Sequence, residues 1–198
     1  MIKKVGVINC GTNNISSIVN AFELIGCDPY IIKRGKEIKN FELIILPGVG
    51  AFPQAIENLK VNNLLEEIKN YSSKGKKILG ICLGMQLLTQ SSLEIKLTKG
   101  LNQVPGKVVK IENQKYNIGW RKINTIKNSL LGEFDNKYFY FQHQFKYNGK
   151  KKYIISTIKD SEKIPAIILK NNIIGVQFHP EKSQKNGLNF LDFIVKKF

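Results

Sequence analysis

Cys82 lies in Gly80-Ile81-Cys82-Leu83-Gly84-Met85-Gln86-Leu87, and near the other end of the chain come Val176-Gln177-Phe178-His179-Pro180-Glu181. A thiol, an imidazole and a carboxylate are the parts of a covalent catalyst: a nucleophile, its base, and the group that orients the base. Before Cys82 runs a short apolar stretch of the kind that forms a buried parallel strand, and the residues after it read as a helix. A cysteine on such a strand-to-helix turn is a thiol version of the nucleophile elbow, with Gly80 and Gly84 allowing a sharp turn and close packing. The amino end of the helix favours both an attacking thiolate and the oxyanion that attack creates, the N–H of Leu83 being the first donor in reach.

The chain has two histidines, so the base is His143 or His179. His179 follows the apolar run 172–178 and so falls at a strand end, where α/β proteins place catalytic groups. Glu181, past the stiff Pro180, is placed to accept the other ring N–H and fix the tautomer. His143 sits in the aromatic segment 139–145 with no carboxylate near it in sequence and reads as a pocket wall. Taken singly, a cysteine after an apolar run is a small core residue, and His-Pro-Glu is a surface turn. Partnership gives both their weight; Cys10 and Cys27 keep the core reading.

These groups need strands to carry them. Residues 4–9, 29–33 and 43–46 read as strands, with helical spacing over 15–24 and again over 62–73 before the elbow strand. Alternating strands and helices imply an α/β fold with a mostly parallel sheet and helices on both faces. Past Gly106 the texture changes to short strand candidates at 107–112, 138–141, 153–158, 166–170 and 173–177, separated by Asn, Gly and Lys turns. That part is expected to be mixed or antiparallel, closed by a helix over 188–195. The first residues, Met1 to Ile8, read as the first core strand, not a leader, since the apolar run is short and meets polar Asn9.

With 198 residues, 42% hydrophobic and 23% charged, the chain suits one domain over 1–198. Three cysteines at no regular spacing argue against a disulfide framework, and with two histidines they offer no metal cluster. No stretch approaches the ~20 apolar residues of a membrane span, so a cytoplasmic protein is expected. The net charge of +16 invites a nucleic-acid reading. Of the 31 basic residues, however, only Arg34 and Arg121 are arginines, the type shaped for bidentate phosphate or guanine contacts, and the lysines are spread along the chain beside turns. This is a solvated surface, and no nucleic acid is expected as a partner.

Gly-Ile-Cys-Leu-Gly-Met-Gln with His-Pro-Glu resembles the class I (triad) glutamine amidotransferases. Leu46-Pro47-Gly48-Val49-Gly50-Ala51-Phe52, Gly80 to Leu88 and Gln177 to Ser183 are most similar to the glutaminase subunits of imidazole glycerol phosphate synthases. The resemblance implies a flavodoxin-like fold with a mixed C-terminal extension, and hydrolysis of L-glutamine by Cys82, His179 and Glu181 without a cofactor. It further implies an oxyanion hole from Leu83 with Val49 or Gly50, and glutamine binding by Gly48, Gln86 and the backbone around Gln144 and Phe145. A (β/α)8-barrel subunit of a heterodimer would receive the ammonia, contacting the 47–52 turn, Asn14 and Lys182. Its products would be imidazole glycerol phosphate and an aminoimidazole carboxamide ribotide, in histidine biosynthesis.

Three segments depart from the family pattern. The first-strand turn, usually Tyr-Gly-x-Gly-Asn, reads Cys10-Gly11-Thr12-Asn13-Asn14; Pro-His-Met-Gly-Trp reads Tyr116-Asn117-Ile118-Gly119-Trp120; and Val-His-Ser-Tyr reads Gln142-His143-Gln144-Phe145. The last two border the glutamine site or the partner face, which keeps open a paralogous subunit feeding ammonia to surface-sugar synthesis. Two further readings stand beside it: a cysteine hydrolase or peptidase on a related α/β fold, which Gln86 and the 47–50 turn disfavour, and a non-catalytic basic binding protein, which the intact triad disfavours.

Overall fold

The computed structural model describes residues 4–11, 14–112, 117–158 and 164–198. Met1 to Lys3, Thr12, Asn13 and Tyr116, on which expectations were placed above, lie outside the described residues.

The elements follow the order β1 (Lys4–Ile8), α1 (Ile15–Leu24), β2 (Asp28–Ile32), β3 (Leu43–Leu46), α2 (Phe52–Val61), α3 (Leu64–Ser73), β4 (Lys77–Ile81) and α4 (Leu83–Leu87). Then come β5 (Ser91–Ser92), β6 (Thr98–Lys99), β7 (Gly106–Lys110), β8 (Asn117–Thr125), β9 (Tyr138–His143) and β10 (Phe145–Gly149). The chain closes with β11 (Ile154–Ile158), β12 (Pro165–Lys170), β13 (Ile173–Val176) and α5 (Gln184–Lys197).

Nine strands form the central sheet in the order β2-β1-β3-β4-β13-β12-β11-β8-β9. From β2 to β13 every pairing is parallel; from β13 to β9 every pairing is antiparallel. The change of direction expected past Gly106 is therefore present, with β13 belonging to both halves. A second, four-stranded sheet runs β10-β7-β5-β6.

Period-two burial divides the core between the two faces of the sheet. Leu43 and Ile45 of β3 and Leu79 and Ile81 of β4 pack with Ile18 and Phe22 of α1 and Phe190, Leu191 and Ile194 of α5. Ile44 and Leu46 of β3 and Ile78 of β4 face the opposite way, onto Phe52 and Leu59 of α2 and Leu64 and Ile68 of α3.

Helix α1 has the bounds its spacing predicts. The helical pattern over 62–73 begins later, at Leu64, because Asn63 takes a left-handed backbone (φ 55°) and breaks the run between α2 and α3. Helix α2 carried a pattern not singled out beforehand, nor were β5, β6, β8 and β10, whose polar and aromatic residues blur the alternation. No helix among the described residues is long and apolar enough to cross a membrane.

Candidate active site

Strands β4 and β13 are parallel neighbours with Gly80 opposite Gly175 and Ile81 opposite Val176. One residue beyond Ile81 lies Cys82, and three beyond Val176 lies His179, so register alone delivers both side chains to the same end of the sheet. The junction is tied by the Cys82 N–H, which donates to the Val176 carbonyl at 2.7 Å.

Cys82 takes φ 51°, ψ −107°, a backbone conformation that costs roughly 1–3 kcal/mol in a non-glycine residue and marks an elbow under strain. The strain sits on the cysteine itself, not on its flanking glycines. Gly80 and Gly84 serve close approach: a Cβ on Gly84 would fall 1.6 Å from the Leu46 carbonyl oxygen, and one on Gly80 would come within 2.8 Å of the Met85 nitrogen. Helix α4 is five residues long, so its contribution at the elbow is confined to first-turn N–H groups.

His179 is buried, and its Nδ1 lies 2.7 Å from Glu181 Oε1. Burial alone would lower the imidazole pKa, but the charge and hydrogen bonding of the adjacent Cys82, followed by those of Glu181, push it up to about 10. A Glu181 side chain with no exposed surface answers that charge. Its Oε1 also accepts from Asn14 Nδ2 at 2.6 Å, while Oε2 is buried with no hydrogen-bond partner. Asn14, expected at a partner face, thus reaches the Glu181 carboxylate. The backbone of His179 is fixed as well: its N–H donates to the Tyr140 carbonyl, and the Ser183 hydroxyl donates to the His179 carbonyl and accepts from the Tyr140 N–H.

A cavity of about 270 Å³ opens over Cys82, lined by Val49, Gly50, Leu83, Gln86, Glu94, Ile118 and residues 142–145. Of the residues expected in the oxyanion hole and glutamine site, Leu83, Val49, Gly50, Gln86, Gln144 and Phe145 line it. Gly48 does not; it lies behind, where a Cβ would meet Leu83 Cβ at 2.9 Å, so its part is to let the 47–50 turn close on the elbow. The carbonyls of Gln144 and Phe145 are already engaged, by the Ile111 N–H and by Gln86 and His143 respectively. Lys182 is exposed, its Nζ 6.0 Å from the centre of the Tyr140 ring.

Three contributors were not foreseen. Glu94 brings a carboxylate to the cavity, with Oε2 accepting from the Phe52 N–H at 3.0 Å. The following Ile95 is the centre of a γ-turn, φ 62°, closed by the Lys96 N–H on the Glu94 carbonyl at 2.6 Å, a strained geometry for a β-branched residue. Gln177, fully buried, has its Nε2 3.7 Å from Cys82 Sγ and its Oε1 3.3 Å from Gln86 Nε2. No local sequence signal marks Glu94, and Gln177, though inside the 177–183 segment, carries no sign there of a contact to Cys82. Among the described residues no cluster of three or more His, Cys, Asp or Glu is set to hold a metal ion.

A strained cysteine elbow, a buried imidazole–carboxylate pair and a flavodoxin-like sheet are the arrangement of an α/β amidotransferase. The chain belongs to the class I glutamine amidotransferases: the family model described as "Glutamine amidotransferase class-I" matches residues 6–196. Within that family it is 43% identical over 192 residues to the "Imidazole glycerol phosphate synthase subunit HisH" of Caldanaerobacter subterraneus subsp. tengcongensis, covering 94% of this chain and 95% of that protein. It is 40% identical over 201 residues to the protein of the same name from Lactococcus lactis subsp. lactis, covering 99% and 100%. A solved structure described as "Structure of PurLQS from Thermotoga maritima" superposes with TM-score 0.77 at 18% identity over 98% of this chain and 99% of that one, a likeness of fold.

Proposed function

We propose that this chain is the glutaminase subunit of an imidazole glycerol phosphate synthase, with Cys82, His179 and Glu181 as its catalytic residues. The carrying observation is the buried Glu181–His179 pair held beside the thiol by the β4–β13 register. Relatives of the same length bearing the synthase-subunit name support the pathway.

The Cys82 thiolate attacks the side-chain carboxamide carbon of glutamine, and N–H groups of Leu83 and of the 49–50 turn receive the oxyanion. Imidazolium at His179, favoured by its neighbours, gives its proton to the departing nitrogen, releasing ammonia and leaving a glutamyl thioester. Water, deprotonated by His179, then cleaves the thioester to glutamate. Gln86 Oε1 and Glu94 are the cavity's acceptors for the substrate's α-ammonium group.

Ammonia in neutral water is mostly protonated and no longer nucleophilic, so the product is passed to a (β/α)8-barrel synthase subunit. Ile118 borders the cavity and is half exposed, as are Trp120 and Tyr138. Trp120 packs edge-on against Tyr140, beside Lys182. This apolar rim with a lysine at its margin suits the barrel's face, together with the 47–52 turn.

The test is to combine the purified chain with its cell's barrel subunit, glutamine and the open ribonucleotide acceptor. Imidazole glycerol phosphate and the aminoimidazole carboxamide ribotide are expected in equal amounts. Amination of a sugar acceptor in place of these products overturns the histidine-pathway reading and selects the surface-sugar paralogue; no glutamine turnover with any barrel overturns the glutaminase.

A further inference from the structure

Strand β9 ends at His143 in the nine-stranded sheet, and β10 begins at Phe145 in the other sheet. Gln144 is therefore the corner where the chain leaves one sheet for the next, and the same corner forms a wall of the cavity above Cys82. His143 staples it. Its Nδ1 lies 2.8 Å from the Phe145 carbonyl oxygen across the bend, and its Nε2 lies 2.8 Å from Nδ2 of Asn117, the residue directly opposite it on β8. Both side chains are buried.

The hydrogen positions follow from the partners. A carbonyl oxygen only accepts, so Nδ1 carries the proton and Nε2 of the neutral ring is an acceptor for the Asn117 amide. Reversing that amide would turn its Nδ2 towards Arg121 Nε, which donates to Asn117 Oδ1 at 3.1 Å, and would set donor against donor. Arg121 thus selects the orientation of Asn117, and Asn117 selects the tautomer of His143. Burial, the larger influence, and the nearby charge of His179 both keep the ring neutral, with its pKa pushed down to about 4 against the opposing Phe145 bond.

The Phe145 carbonyl has a second donor, Gln86 Nε2 at 3.2 Å, and that same nitrogen reaches Gln177 Oε1 at 3.3 Å. With both amide hydrogens of Gln86 directed to acceptors, its amide cannot reverse, and Oε1 is the atom left to meet a ligand in the cavity. Gln177 in turn presents its Nε2 to Cys82 Sγ. Hydrogen bonds therefore run unbroken from β8 through the corner to the nucleophile.

We infer that His143 and Asn117 are positioning residues for substrate, holding the Nδ1–H tautomer that pins the Phe145 carbonyl and so aims the Gln86 amide oxygen at the amino group of glutamine. The inference rests on the glutaminase reading for its ligand, but not for its geometry.

Two measurements test it. In the wild-type chain, ¹⁵N spectra of the histidine rings, assigned by loss of one set in His143→Asn, should show His143 protonated at Nδ1 and bare at Nε2 from pH 6 to 8. An Nε2–H tautomer, or a doubly protonated ring in that range, overturns the proposal whether or not the chain hydrolyses glutamine. In the complex with its barrel, His143→Phe should raise the KM for glutamine at least about tenfold while kcat stays within about threefold. His143→Asn, whose amide nitrogen stands near the place of Nδ1, should bring KM back to within about threefold of wild type, and Asn117→Leu should fall between. An unchanged KM in His143→Phe, or no recovery in His143→Asn, overturns it. A wild-type complex that binds no glutamine refutes the glutaminase reading, while the spectra still decide the tautomer.

Discussion

The two histidines of this chain, His179 in the turn that follows β13 and His143 at the end of β9, are pushed in opposite directions. His179, past the end of β13, stands between a thiol and a carboxylate and is held well above the usual histidine value, at about 10. His143, on the antiparallel half, has only amide and carbonyl partners and is held well below it, at about 4. Similar burial has opposite results because the surroundings differ: a thiol and a carboxylate favour the charged form of His179, whereas amide and carbonyl dipoles, with the His179 charge nearby, leave His143 neutral. In the proposed mechanism His179 moves the proton, while His143 belongs to a cavity wall that stays neutral.

Breaking the parallel half should have the largest effect. Cys82→Ala is expected to lower glutamine-dependent synthesis by at least about a thousandfold, while synthesis from added ammonium in the complex is retained; parallel assays with the two nitrogen sources check this. Loss of both activities would mean that Cys82 holds the fold and not the chemistry.

Next in size, Gly84→Ala forces a methyl group into the Leu46 carbonyl and should cost about 3 kcal/mol or more in denaturant unfolding.

The pH dependence of stability separates the two histidines. Unfolded, each binds its proton near pH 6.5. Folded His143 does not until about 4, so its contribution to stability rises with pH between about 4 and 6.5. Folded His179 holds its proton to about 10, so its contribution is complete below 6.5 and lost as pH climbs towards 10. Replacing His143 with Asn should flatten only the acid limb of the stability profile, and replacing His179 with Asn only the alkaline limb.

Smallest is Ile95→Gly, which relieves a left-handed backbone at a residue 80% exposed and should raise stability by about 1 kcal/mol. Thermal melting reads it.

What the sequence made legible divides along the same line. Apolar runs 43–46 and 173–176 are buried on both faces, so composition alone announces them, and two motifs at the ends of adjacent strands mark the residues of the proposed triad. Strand β8 mixes Asn117, Arg121 and Lys122 with Trp120 and Ile123, because one side faces the cavity rim and the other the core; its pattern has no clean period. The bond from Asn14 to Glu181 joins residues 167 apart in sequence. Gln177 and Glu94 owe their roles to which strand end or strained turn carries them, and no spacing encodes that. His143 was rightly placed as a wall, but its staple across the sheet corner depends on β10 leaving for another sheet, which nothing local specifies.

Labelling with a glutamine-like electrophile, an amino acid bearing a chloroketone in place of the carboxamide, tests the central claim most directly. Cys10 is buried, its thiol pushed up to about 12 by loss of solvent, and Cys27 lies away from the cavity, packed against the core formed with α1 and α5. Peptide mass spectrometry should find one adduct, on Cys82, formed more slowly in His179→Ala. Adducts shared among the three cysteines, or a rate indifferent to His179, would contradict an activated thiol at the elbow.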